Sequence, residues 1–190
     1  MAAFSLIELL FVLGVAATLT SVAVPQLSSS LNEVHSAGAA RHIAARLQQA
    51  RVRALSRSRA TALRIRADGR GYLVTEFEDG NRNGVLAADI ASGTDVPVGP
   101  PERLPELYSG VDFGALPGIP GAEGSTAPGS DPIRLGAADS VTFTPFGTAT
   151  PGSLYLRGRT STQYVVRIYG ETGRTRIMRY SPATRSWWSR

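Results

Sequence analysis

The chain has 190 residues, 43% of them apolar and 18% charged, which suits one globular unit with a long appended element and excludes a disordered polyelectrolyte. It contains no cysteine, and all 20 basic residues are arginine, so disulfides, thiolate metal sites, cysteine nucleophiles and every lysine-dependent chemistry are excluded together. The net charge of +5 is segregated into blocks of −2 over residues 1–40, +8 over 41–66, −8 over 67–139 and +7 over 140–190, a pattern that predicts a polyanion-facing surface.

From Phe4 to Leu27 runs a stretch of 24 residues with one ionisable side chain, Glu8. At ~1.5 Å per helical residue it is long enough to cross a bilayer. It lacks the basic start, short apolar run and following small-residue site of a cleaved secretory signal, so the segment is expected to stay on the protein. A carboxylate near the centre of such a span costs about 2.5–3.5 kcal/mol, and less near an end. Glu8 therefore either sits in a first turn stabilised by the helix dipole or neutralises a positive group on a neighbouring subunit.

Pro25 is expected to kink the helix without ending it. The Ala-, Leu-, Gln- and Arg-rich segment over 28–58, with Ile43, Leu47, Ala50 and Ala54 spaced along one side, continues it as an amphipathic helix. His35 and His42 lack the further ligands of a metal site and are read as packed or solvated. Thr61–Arg66 and Tyr72–Phe77 alternate across Asp68-Gly69 as a β-hairpin. Residues 78–139 hold eight of the twelve prolines and most of the acids, and form a long irregular acidic insertion with a short strand expected near Glu106-Leu107-Tyr108. Strands return at Val141–Thr144, Ser153–Arg157, Gln163–Tyr169 and Arg174–Tyr180, the last two joined by Gly170-Glu171-Thr172-Gly173. The predicted fold class is α+β, a long N-terminal helix packed on a small antiparallel β-domain that spans 59–190.

Phe4-Ser5-Leu6-Ile7-Glu8-Leu9-Leu10, followed by an apolar helix, resembles the N-terminus of type IV pilins and type II secretion pseudopilins. The resemblance implies residues 1–3 as a residual leader, 4–27 as the transmembrane and assembly helix, and cleavage by a prepilin peptidase between Ala3 and Phe4. It further implies methylation of the Phe4 amine and pairing of Glu8 with the terminal amine of an adjacent subunit. The leader departs from the usual pattern, because Ala3 stands where the family has Gly and no basic residue precedes it. The post-helix hairpin, Val141-Thr142-Phe143-Thr144-Pro145-Phe146-Gly147 and the closing Gly173-Arg174-Thr175-Arg176 resemble the GspH/FimT branch. GspH members are minor pseudopilins of secretion systems. FimT members are minor pilins, some of which bind DNA for natural transformation through a C-terminal Gly-Arg-x-Arg element.

Alternation on a strand sets Arg174 and Arg176 on one face, about 7 Å apart, a spacing suited to successive phosphates, and Arg179 on the other. Arg174, Arg176, Arg179 and Arg185 are thus the candidate DNA-binding residues, and Trp187-Trp188 either stack on bases or pack over the sheet edge. Asp79-Gly80-Asn81-Arg82-Asn83-Gly84 fits the opening of a calcium loop, with Asp79, Asn81 and Asn83 as ligands, but the twelfth position is Ile90. Without that bidentate acid the segment is read as an Asx-rich turn. No base stands beside a serine, and neither enzymatic activity nor a cofactor is expected. The expected function is a FimT-type minor pilin that binds DNA non-specifically for uptake, and the alternative is a structural GspH-like pseudopilin. The expected partners are other pilin or pseudopilin subunits, the prepilin peptidase, DNA and, before assembly, the inner membrane, with the head in the periplasm.

Overall fold

A single helix, α1 (Leu6–Arg57, 52 residues), dominates the computed structural model, which describes residues 5–136 and 138–189. At ~1.5 Å per residue it is about 78 Å long, and it passes through Pro25 without interruption. Its N-terminal half has no tertiary partner among the described residues. Leu6, Ile7, Phe11, Leu19, Val24 and Leu27 are all exposed, and the most apolar window has a mean hydropathy of 2.1 with none of it buried, long and apolar enough to cross a membrane. Five of the hydroxyls in this half are satisfied internally. Thr18, Thr20, Ser21, Ser28 and Ser30 each donate to a carbonyl three or four residues earlier at 2.7–3.0 Å.

The C-terminal half of α1 buries a continuous stripe comprising Asn32, Ser36, Ala39, Ala40, Ile43, Leu47, Ala50 and Ala54. The steps of three and four residues keep these side chains on one face. Ser58, in a left-handed conformation, closes the helix by donating its N–H to the Ala54 carbonyl.

Two antiparallel sheets pack on that stripe. The first, in the order β3-β2-β1-β6, is built from β1 (Thr61–Ala67), β2 (Tyr72–Glu78), β3 (Val96–Pro97) and β6 (Ser140–Phe143). The second runs β10-β9-β8-β7, comprising β7 (Gly152–Arg157), β8 (Gln163–Tyr169), β9 (Arg174–Ser181) and β10 (Ser186–Ser189), with β4 (Asp112–Phe113) and β5 (Ile133–Arg134) both pairing with β7. Leu63, Ile65, Val74, Val141, Phe143, Leu154, Leu156, Val166 and Ile168 meet the helix stripe in one core. This is the α+β arrangement expected from the sequence.

The acidic insertion is better anchored than its composition suggests. It contributes β3 to one sheet and β4 and β5 to the other, besides two short helices, α2 (Ala87–Ser92) and α3 (Leu104–Leu107). The strand expected at 106–108 is instead the end of α3, because Pro105 presets the backbone of a first helical turn. Loop residues 115–122 cover the outer face of the second sheet, where Ile119, Ala122, Tyr155, Val165, Met178 and Tyr180 form a second small core.

The head is latched to the helix where the buried stripe begins. Asn32 Nδ2 donates to the hydroxyls of Thr160 and Thr162 at 2.8 and 2.9 Å, and its Oδ1 accepts the Arg159 N–H at 2.9 Å. Gly158 permits this approach, since a Cβ there would lie 2.4 Å from Ser36 Oγ and 2.7 Å from Asn32 Oδ1. We predict that Asn32→Ala, which leaves the buried side chain's place empty and removes the partner of one part-buried N–H and two hydroxyls, destabilises the chain by about 1–3 kcal/mol. Urea unfolding of the full chain in neutral detergent measures this.

Candidate functional site

The helix arginines are largely spent inside the fold. Arg46 ion-pairs with both Glu76 and Glu102, Arg53 reaches Glu76 at 2.5 Å and Arg57 reaches Glu78 at 2.7 Å, while on β1 Arg64 pairs with Asp139. His42 Nε2 lies 2.9 Å from Glu102, which makes the histidine part of this ladder. The carboxylate of Glu76 is almost wholly buried between its two arginines, a geometry in which removal of either partner is costly. Four of the eight arginines of the +8 block therefore meet acids of the −8 block within the fold, which corrects the expectation of a polyanion-facing surface for Arg46, Arg53, Arg57 and Arg64, whereas Arg41, Arg51, Arg59 and Arg66 have no acidic partner among the described residues. At the β1–β2 turn, Arg103 hydrogen-bonds Asp68 and holds its carboxyl down at about 2.

The four candidate arginines of the C-terminal region fall into three environments. Arg174 and Arg176 share the exposed outer face of β9, as strand alternation requires. Arg179 lies on the helix-facing side, where its guanidinium pairs with Glu33 of α1 at 3.1 Å beside Tyr164, and so does not join the other two. Arg185 occupies the β9–β10 turn with φ of 50°. Among the described residues, neither Arg174 nor Arg185 has an acidic partner.

Arg176 does have one, and the sequence did not announce it. Glu123 of the insertion accepts hydrogen bonds from Arg176 Nη1 at 2.9 Å and from the Tyr169 hydroxyl at 2.7–2.8 Å. The same carboxylate stands 4.0 Å from Arg167 Nε, close enough for charge attraction but not for a hydrogen bond. Glu123 adopts a left-handed backbone, φ 52°, that is sparsely populated by a residue with a side chain. Burial and the bond to Glu123 push the Tyr169 phenol up, so it remains a donor. The bond with Tyr169 and the charge of Glu123 push Arg176 up as well.

Gly173, the first residue of the Gly-Arg-x-Arg element, has φ of 59°, and a Cβ there would lie 2.5 Å from the Gly147 carbonyl and 3.1 Å from Arg51 Nε. The hairpin turn alone thus requires glycine. Trp187 is packed over the second small core, with its ring beside Tyr155 and Tyr180 and its Nε1 donating to the Pro120 carbonyl at 3.0 Å. Trp188 remains exposed.

The Asp79 loop has a different geometry from the arginine face. The buried Asp79 carboxylate accepts the N–H groups of Asn81, Arg82 and Gly84 at 2.6–3.1 Å, and buried Asp95 accepts those of Gly80 and Leu86. Asn81 and Asn83 turn their amide nitrogens toward Asp89. Ala3 and Phe4, the expected processing site, lie outside the described residues.

A half-exposed helix with a two-sheet head is one of the two decisive observations. The other is that the sequence model of Type II transport protein GspH matches residues 39–172, from inside α1 to the β8–β9 turn. The chain belongs to the GspH family. It is a minor pseudopilin, a structural protein rather than an enzyme, and membership implies assembly with other pseudopilins in a secretion system. No curated protein and no solved structure matches the chain. The GspH match ends one residue before Gly173, so the arginine element lies outside it.

If the Asp79 loop of this GspH protein is held by Asx bonding, Asp79→Ala leaves three backbone donors unmet and lowers stability by about 1–3 kcal/mol. The melting temperature of the unsubstituted chain is then expected to be the same with and without millimolar calcium. A calcium-dependent rise abolished by the substitution would reassign the loop to the metal.

Proposed function

We propose that this pseudopilin is a filament subunit whose exposed apolar half-helix is first its membrane anchor and then its packing element, with the head on the periplasmic side. The observation that supports this is the contrast within α1, where every described side chain from Asn32 back to Ser5 is either at the latch or free of the head. Glu8 lies in the first turn and has no partner among the described residues. An unpaired carboxylate at the end of an apolar helix suits capture by the terminal amine of a neighbouring subunit, after a prepilin peptidase has cut before Phe4. Glu8→Ala is expected to leave the head's melting temperature unchanged and to reduce incorporation into filaments several-fold, measured by immunoblot of sheared filament fractions. Normal incorporation of the correctly processed variant would overturn the role of Glu8.

A second reading, a FimT-type subunit that binds DNA, is favoured by one observation, the unpaired and exposed guanidinium groups of Arg174 and Arg185. Forked guanidinium donors suit phosphate oxygens, and among the described residues these arginines stand on a strand and a turn rather than on a helix that could enter a groove, so the binding would be independent of sequence and strongly salt-dependent. Replacing Arg174 and Arg176 with Gln is expected to weaken binding to a labelled duplex and to flatten its log–log salt dependence by about one to two contacts at ~0.9 each. Absence of binding by the unsubstituted chain at low salt would leave the structural role alone.

A further inference from the structure

Strand register places more arginine on the outer face of the second sheet than the C-terminal element contains. Arg176 of β9 lies directly opposite Arg167 of β8, Arg167 lies opposite Ser153 of β7, and Ser153 lies opposite Arg134 of β5. One row perpendicular to the strands thus carries three guanidinium groups across four strands. Neighbouring strands are about 4.8 Å apart, and like charges directly opposite each other repel. Such a row needs counter-charge from outside the sheet.

The insertion supplies part of it. Glu123 bonds Arg176 and sits at 4.0 Å from Arg167, and Asp131 Oδ2 lies 3.6 Å from Arg134 Nη1. The compensation is incomplete. Arg167 spends one nitrogen on Ser153 Oγ at 2.9 Å, while its Nε has no hydrogen-bond acceptor and neither does the nearby Ser125 hydroxyl. Between Arg134 and Arg167 the surface opens into a cavity of about 340 Å³ bordered by Ser125, Thr126, Asp131 and Ser153. That volume lies at the low end of small-ligand sites, about 300–1,000 Å³. The acids near this row are Glu123, Asp131 and, in the β8–β9 turn, Glu171, whereas the cavity itself is lined by two arginines, three hydroxyl groups and one carboxylate.

We propose that the Arg176–Arg167–Arg134 row is a track for the phosphates of a DNA strand, and that Glu123 occupies a phosphate position on it until the nucleic acid displaces it. This rests on the DNA-binding reading given above and extends it from the C-terminal strand across the whole sheet. Two arginines from the family-matched part of the chain join the track, and the insertion acquires a role as an intramolecular competitor. A carboxylate that accepts from Arg176 and Tyr169 offers acceptors like those of one backbone phosphate and the same single charge, so a polyanion that brings many phosphates to the row at once can outcompete it.

The test is fluorescence anisotropy of a labelled duplex with the full chain in neutral detergent, titrated at several salt concentrations. Arg134→Gln is expected to weaken binding about two- to fivefold and to reduce the salt slope by about 0.9, the signature of one lost phosphate contact. Glu123→Gln, which keeps the shape and removes the charge, is expected to strengthen binding several-fold. Arg167→Gln should act like Arg134→Gln, and if it fails to fold, the half-exposed Arg134 carries the test alone. If Arg134→Gln binds like the parent while Arg174→Gln binds more weakly, the track is overturned and the C-terminal site stands. If Glu123→Gln does not raise affinity, the masking role is overturned. If the parent binds no duplex at low salt, both the track and the DNA reading fall. Equal binding of polyglutamate, with equal loss in Arg134→Gln, would assign the row to an acidic protein surface and overturn the proposal.

Discussion

One helix has to satisfy two solvents, and the head is built around the point where the first solvent gives way to the second. Up to Leu31 the side chains of α1 are mostly apolar, and none of the described ones is buried by the head. From Asn32 onward a stripe of small residues lets two sheets close on the backbone. Alanine at positions 37, 39, 40, 50 and 54 buries little surface of its own, but it allows both sheets to share a single helix face. Asn32 marks the boundary with bonds that reach the β7–β8 turn and so fix how far along the helix the head can sit.

The charge pattern shows how a sequence can be informative and misleading at once. Segregation into a basic block and an acidic block is real, but a helix followed by the strands that pack on it brings those blocks face to face. Arg46, Arg53 and Arg57 on the helix find Glu76 and Glu78 on β2 because both sets project into the same interface. Block charge along the chain does not distinguish complementarity within a fold from attraction to a partner. Both basic blocks keep arginines without acidic partners among the described residues, Arg41, Arg51, Arg59 and Arg66 in the first and Arg174 and Arg185 in the last.

Elements with strong periodicity were legible in the sequence. The apolar run and its amphipathic continuation became α1 to within a residue of the expected end, and the strands β8 and β9 emerged at the expected positions because alternation over seven or eight residues is unambiguous. Short pieces were not legible. β10 spans four residues of which two are tryptophan, and α3 spans four that begin beside a proline, too few for any period to show. Nor was the partnership of Glu123 with Arg176, which joins residues 53 apart in the chain. A glutamate between glycines in a proline-rich loop carries no local sign of the contact it makes. The Asp79 loop was legible as a turn motif, since its spacing dictates which backbone amides the carboxylate can reach.

The hydroxyls of the exposed half-helix have a consequence for how such a subunit changes surroundings. Because Thr18, Thr20, Ser21, Ser28 and Ser30 already donate to their own backbone, these five hydroxyls bring no unmet donor to whatever surrounds the segment. Moving it from lipid tails to a bundle of like helices exchanges one apolar contact for another, and hydration contributes little driving force in either direction. In the proposed assembly, the Glu8 carboxylate at its tip is then the group expected to differ most in energy between the two locations. If the subunit assembles as proposed, extraction would be a nearly level sliding motion along the helix axis, with an electrostatic detent at Glu8 that defines where the sliding stops.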